Sequence, residues 1–220
     1  MYVQAVRVLT WNILHGRSVP GAGRDLLEEF ASALAGWDWD VALLQEVPPW
    51  WPDELAARTG AEARSVLTSR NALLPVRRAI AVRWPDLIKS NGGGCNAILV
   101  RGATIAGHLT FRLCVWPERR WLHAVRVTSG TWIGNLHAGG TARDAERARQ
   151  RALEWARGAP LVLGGDFNIH SLSLEGLVRA GGHNADHVFA AGLKQVGSAE
   201  VLDRGRLSDH APVVVALSSE

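Results

Sequence analysis

An α/β protein with mixed sheets is the fold class that this sequence predicts, on three observations. Near the N-terminus an apolar run, an amphipathic stretch and a second apolar run follow one another, the strand–helix–strand order that begins an α/β layering. In the middle, apolar runs succeed one another without a helix between them, which points to antiparallel meanders. Later, LVLGGDFNIH at 161–170 runs from Pro160 through three apolar residues into two glycines, and then presents Asp166 and Asn168 on either side of Phe167.

The chain has 220 residues with no Pro/Ser-rich linker, charge block or internal repeat, so residues 1–220 are expected to form a single domain. A hydrophobic share of 47% with 20% charged residues excludes a disordered chain. A net charge of +3 and a pI near 9.4 permit a phosphate-bearing substrate without identifying one. The ten tryptophans are read first as core residues, with stacking on bases or sugars as the alternative. Cys95 and Cys114 form no CxxC pair and are expected to be reduced or buried thiols. MYVQAVRVLTWNIL lacks the features of a signal peptide, and no apolar run approaches the ~18 residues of a membrane span. A cytoplasmic monomer is expected.

Val3–Trp11 alternates loosely and is rich in β-branched residues, a strand ending at Asn12. Arg24–Trp37 spaces Leu26, Leu27, Phe30, Ala31 and Leu34 as one face of a helix. DVALLQEV at 40–47 reads as a buried strand running out into Glu46, with Pro48-Pro49 ending the ladder. Trp50–Arg58 and Ala72–Ile88 read as helices, the second interrupted or kinked at Pro75 and Pro85, and Gly92–Gly94 as a loop. Strands follow over Asn96–Val100, Thr104–Val115, Trp121–Val127 and Thr131–Leu136, the last leading to His137. Thr141 with Asp144 resembles a capping box and opens a helix to Arg157. Ala145, Ala148, Ala152, Leu153 and Ala156 form its inner face, and Arg143, Arg147 and Arg151 read as solvated. Ser171–Gly182 reads as a short helix and loop. Ala185–Leu193 offers Asp186 at the entry to a short strand. Ser208-Asp209-His210 requires a turn before the final strand, which Pro212 opens.

Asn12, Glu46, His137, Asp166, Asn168, Asp186, Asp209 and His210 share a pattern: each follows an apolar strand or lies at a strand boundary. Each alone is explained by solvation or turn formation; eight at such boundaries in one chain are not. In α/β sheets the carboxyl ends of strands are where ligands bind.

The ordered motifs TWN, LLQE, NLH, GGDFN, ADHVF and LSDH resemble the endonuclease/exonuclease/phosphatase family of the deoxyribonuclease I-like superfamily, from Thr10 to about Leu217. The resemblance implies a four-layer α/β sandwich, two mixed β-sheets packed face to face with helices outside. It also implies hydrolysis of a phosphate ester with Mg²⁺ or Mn²⁺. By position, Glu46 looks like the metal-binding glutamate with Asn12 beside it, and Asp209 like a further acid near the metal. Asp166 and Asn168 look like the pair that orients or deprotonates the attacking water. His210 resembles the histidine at the scissile phosphate, Asp186 its orienting partner and His137 a second phosphate-facing histidine. Arg119 or Arg120 matches a substrate-contacting arginine. IKSNGGGCNAILV carries no acidic partner for His137, and the short stretch between Asn168 and Asp186 leaves little room for DNA-wrapping loops.

The expected partner is a phosphate-ester substrate, with nucleic acid favoured and a small-molecule or lipid phosphate as the alternative. A non-catalytic binding module would be expected to lose Glu46, Asp166 or His210, and all three are present.

Overall fold

The computed structural model describes residues 5–69, 71–87 and 94–219. Its strands and helices are β1 (Val6–Asn12), α1 (Leu27–Gly36), β2 (Val41–Val47), α2 (Pro52–Thr59), β3 (Glu62–Leu67), α3 (Leu74–Arg83), β4 (Cys95–Val100), β5 (Ile105–Cys114) and β6 (Arg120–Val127). They continue with β7 (Trp132–His137), α4 (Ala142–Ala156), β8 (Leu161–Asp166), β9 (Val178–His183), β10 (Asp186–Ala191), β11 (Leu193–Val201) and β12 (Val213–Ser219).

These strands make two six-stranded sheets, ordered β11-β12-β1-β2-β4-β3 and β5-β6-β7-β8-β10-β9. Each sheet is antiparallel apart from one central parallel pair, β1 with β2 and β7 with β8. A parallel pair needs a crossover, and α1 and α4 supply the two. The result is the four-layer α/β sandwich.

Strand alternation assigns the layers. In β1, Leu9 and Trp11 face outward against Phe30, Leu34, Trp51 and Leu55 of the α1–α2 layer, while Val8 faces the other sheet. In the second sheet Leu136, Leu161, Leu163 and Phe189 pack against Ala145, Ala148 and Ala152 of α4. Between the sheets lies a third cluster of branched aliphatics, among them Val41, Leu43, Ile98, Val125, Ile133, Val213 and Val215. Trp11, Trp39 and Trp51 are fully buried, whereas Trp116 is 84% exposed. Both cysteines are free, and burial pushes the Cys95 thiol up. Among the described residues no helix is long and apolar enough to cross a membrane.

Several elements differ from their sequence-based expectation. Ser171–Gly182 forms no helix; its second half enters edge strand β9, and β3 and β11 are strands without a sequence expectation. Pro75 sits at the start of α3, where a missing N–H is harmless, and Pro85 lies beyond its end, so neither kinks it. The expected end of that helix at Ile88, and Gly92 and Gly93 of the expected loop, lie outside the described residues. Thr141 Oγ1 accepts from the Asp144 N–H at 3.2 Å, as the capping pattern requires. Arg147 and Arg151 are not simply solvated: their guanidiniums lie 5.3 Å and 4.5 Å from the Phe111 ring centroid, and Arg147 donates to the Leu113 carbonyl.

The inter-sheet layer turns polar towards the strand ends that carry the candidate residues. Asn135 donates to the carbonyls of Leu44 and Ala97, and its side-chain oxygen accepts from Gln45. His123, fully buried, has Nδ1 3.2 Å from His108 Nε2, while its Nε2 has no partner among the described residues. Burial, then the neighbouring His108, holds the His123 pKa well below 6.5. The unfolded chain takes up this proton near pH 6.5 and the folded chain does not, so stability is expected to fall as pH drops below about 6.5. Tm measured between pH 7.5 and 5 checks this, and His123→Gln should flatten the slope.

Candidate active site

The candidate residues gather at one end of both sheets because the strands deliver them in register. Asp166, the last residue of β8, pairs with His137 at the end of β7 and with Asp186 at the start of β10. From the other sheet come Asn12 at the end of β1, Glu46 near the end of β2 and His210 just before β12.

Glu46 reaches the cleft through an irregularity. Ala42 and Leu44 face the α1–α2 layer, and simple alternation would send residue 46 the same way. Instead the β2–β4 register shifts between Leu44 and Val47, Glu46 takes φ +52, and Val47 returns to the outer layer. A β-bulge of this kind re-aims one side chain.

The two glycines before Asp166 are explained by neighbouring protein. A Cβ on Gly165, at φ +136, would lie 2.0 Å from the Leu136 carbonyl oxygen, and one on Gly164 would lie 2.7 Å from Leu43 Cδ1. Gly165→Ala is therefore expected to lower stability by at least about 3 kcal/mol, read from denaturant unfolding.

Asp166 is 1% exposed and heavily engaged. Its Oδ2 accepts from Asn12 Nδ2 at 3.0 Å and lies 3.5 Å from His137 Nε2 and 3.9 Å from His210 Nε2. Its Oδ1 accepts from the Asn168 N–H at 2.9 Å. Asn168, at φ +54, donates through Nδ2 to the Ala138 carbonyl at 3.0 Å. His210 Nδ1 lies 2.7 Å from Asp186 Oδ2, so the ring is held from behind and presents Nε2 to the cleft. Burial pulls the His210 pKa down, but the Asp186 hydrogen bond and charge outweigh it and, with Asp166 and Asp209, raise it to about 9. Burial raises Asp186 to about 6 against the opposing pull of His210. Between those values the two form an ion pair.

The Ser208–His210 turn is anchored to β1. Ser208, at φ +59, donates from Oγ to the Asn12 carbonyl at 2.6 Å and accepts the His210 N–H at 3.1 Å. Trp11 Nε1 donates to the His210 carbonyl at 2.9 Å. Asp209, between them, is exposed.

Burial raises the Glu46 pKa; Asn12 and Arg120 pull it back, and Asp166 and Asp209 add to the rise. His137 Nδ1 lies 3.8 Å from Glu46 Oε1, so the acids beside His137 are Glu46 and Asp166 themselves. Burial, with Arg120, His15 and His210, keeps its pKa well below 6.5 and its ring neutral. Arg120 is ion-paired with Glu118 at 2.8 Å. Arg119 is exposed and its N–H donates to Ser69 Oγ at 2.6 Å. These arginines, with Ser69, Cys114, Val115 and Pro117, line a cavity of ≈ 520 Å³ that opens beside Glu46 and His137.

His15 is a site residue that the sequence reading missed. It lies at φ +53 in a short 3₁₀ turn directly after β1, with Nε2 3.2 Å from Glu46 Oε2. The available signal was the LHG that follows Asn12 after one residue, a turn carrying a histidine beside a candidate ligand.

In chemical terms the cleft offers a cationic histidine held by a buried acid, a neutral histidine, a buried carboxylate fixed by two amides, and a second carboxylate apart from the first. Asp166, Asp186 and His210 each place one potential ligand atom within 4.8 Å of the others. A model of the endonuclease/exonuclease/phosphatase family matches residues 9–210. The chain belongs to this family. No curated protein matches it.

Solved structures agree on the fold. An endonuclease/exonuclease/phosphatase protein from Beutenbergia cavernae superposes with a TM-score of 0.71 at 20% identity, covering 98% of this chain and 72% of that one. A mannosyl-6-phosphatase from Bacteroides thetaiotaomicron gives 0.71 at 18% identity, covering 96% and 99%. The human Nocturnin catalytic domain with bound sulfate gives 0.67 at 20% identity, covering 99% and 94%. At these identities the likeness concerns architecture; membership of the endonuclease/exonuclease/phosphatase family supports phosphoester hydrolysis in general and, for this family, a general dependence on divalent metal.

Proposed function

We propose that the protein is a Mg²⁺- or Mn²⁺-dependent phosphodiesterase, with nucleic acid as the favoured substrate class. The observation that carries the reading is the Asp186–His210 pair facing Asp166, at 2.7 Å and 3.9 Å. His210, kept protonated by Asp186, donates from Nε2 to a phosphate oxygen or to the leaving oxygen. Asp166 and Asn168 hold the attacking water, with Asp166 taking its proton. His137, neutral, adds a hydrogen bond to the phosphate, and Arg120 and Arg119 bind flanking anionic groups of the substrate.

The donor chemistry fits a hard divalent cation: Glu46, Asp166 and Asp209 offer carboxylate oxygens, and burial, with the charges of Asp166 and Asp209, disfavours a lone charge on Glu46. Glu46, Asn12 and Asp209 would hold the ion. Once bound, the metal would offset negative charge on the phosphate. Asp186 and His210 are engaged with each other, which suits an acid–base pair better than two metal ligands. His15 holds the second oxygen of Glu46 and fixes that carboxylate's orientation.

The rim of this cavity favours nucleic acid: Arg119 and Arg120 line it together with Glu118, and Trp116, three to four residues before the two arginines, is exposed as a stacking surface. The test is a panel of plasmid DNA, single-stranded DNA, RNA, bis-p-nitrophenyl phosphate, and inositol and lipid phosphates, with Mg²⁺, Mn²⁺ or EDTA. His210→Ala serves as the blank. Metal-dependent cleavage absent from the blank supports the chemistry, and the preferred substrate names the class. A folded, metal-loaded protein silent across the panel would falsify the reading.

A further inference from the structure

We propose that His187, oriented by Arg179, is a positioning residue that holds the Asp166–Ile169 turn in the shape presenting Asp166 and Asn168 to the cleft. The proposal rests on the catalytic reading of those two residues, and its test is built to fail separately.

Alternation along β10 sends Asp186 into the cleft and His187 to the opposite side of the sheet. There the ring is fully buried, with its centroid 5.8 Å from that of Phe167 and 5.9 Å from that of Phe189. Both ring nitrogens are engaged. Nδ1 faces Arg179 Nε at 3.1 Å, and a guanidinium N–H only donates, so Nδ1 accepts. The proton is therefore on Nε2, which lies 2.7 Å from the Ile169 carbonyl and donates to it. Arg179 thus selects the tautomer that grips the turn. Burial, the largest influence, also lowers the His187 pKa, in keeping with a neutral ring.

Room for this contact depends on Gly182 at φ +156. A Cβ there would approach the Asp186 carbonyl oxygen to 2.3 Å and His187 Nδ1 to 2.9 Å. The gripped turn contains Asn168 in the left-handed region, which asparagine enters more readily than other side-chain-bearing residues and which the bonds around it hold here. Other bonds act on the turn before Ile169: Ala138 N–H to the Asp166 carbonyl at 2.8 Å, Phe167 N–H to the Ala185 carbonyl at 3.0 Å, Asn168 N–H to Asp166 Oδ1, and Asn168 Nδ2 to the Ala138 carbonyl. His187 closes the far end. Releasing the Ile169 carbonyl lets Asn168 relax and draws its amide off Ala138.

His187→Phe keeps the aromatic contacts and removes both nitrogens; His187→Gln returns an N–H near the Nε2 position; Arg179→Met removes the orienting donor. Hydrogen exchange should quicken in the 166–170 turn of His187→Phe while β10 stays protected, with near-normal exchange in His187→Gln. With bis-p-nitrophenyl phosphate and Mg²⁺, kcat of His187→Phe should fall about 10–100-fold with KM within about threefold. His187→Gln should recover most of the loss, and Arg179→Met should show a smaller loss. In an Asn168→Ala background His187→Phe should add little, because both act through the same group. Unchanged exchange in the turn for both His187→Phe and Arg179→Met, or full additivity with Asn168→Ala, overturns the proposal. Quickened exchange in a protein that cleaves no phosphoester leaves the positioning role standing and removes the catalytic reading.

Discussion

His210→Ala is expected to lower kcat on a phosphodiester by about 10²–10⁴-fold, the usual worth of a positioned acid–base group. The turn itself should survive, because its bonds to Ser208 and Trp11 are made by the His210 backbone and not by the ring. One structural consequence is expected all the same. Asp186, 1% exposed, would be left buried without the counter-charge that holds its pKa down, and keeping it charged would cost several kcal/mol until it takes up a proton. The double variant His210→Ala/Asp186→Asn removes that charge, so it should regain most of the lost Tm while remaining as inactive as the single. Recovery of activity along with stability would mean that His210 acts through folding. Asp186→Asn alone should move the alkaline limb of the pH–rate profile to lower pH. The sign follows from the pair: Asp186 helps to hold His210 protonated to about pH 9, and without that charge the acid form is lost earlier.

The fold was legible in the sequence wherever a strand has one face against each core layer. In β1, Val8 and Leu9 serve different clusters, and such strands read as near-continuous apolar runs. β3, β9 and β11 were missed, and all three are sheet edges, whereas edge strand β5 was read as a strand. VRAGGH and LKQVGSAEV carry mostly polar or exposed positions and no period of two, so nothing marks them apart from loops. At the site, the strand-boundary positions of Asp166, His137 and Asp186 were readable because register brings strand ends together. The means by which Glu46 joins them was not: a bulge exists only relative to the partner strand, and no spacing within LLQEV announces it. His187 lay inside the quoted ADHVF motif, but alternation turns it away from the cleft, and its role depends on a carbonyl 18 residues away.

Glu46→Gln should separate function from stability in the opposite direction to His210→Ala. Burial raises the Glu46 pKa, so the charged form is disfavoured in the folded, metal-free protein relative to the unfolded chain. The sign is that of a stability penalty present above the unfolded pKa and relieved when the charge is removed. In EDTA, Glu46→Gln is therefore expected to match or exceed the wild-type Tm, by about 2–4 °C for each kcal/mol of penalty relieved. With Mg²⁺ or Mn²⁺ the order should reverse: the wild type gains stability on loading, as any ligand that prefers the native state confers, and the variant gains much less. Activity should fall at least about 10²-fold at a metal concentration that saturates the wild type. The two readouts constrain each other. A variant that loses activity but keeps the full metal-induced Tm gain would move Glu46 from the metal to the substrate. One that loses Tm already in EDTA would show that its contacts with His15 and Asn12 outweigh the burial of its charge.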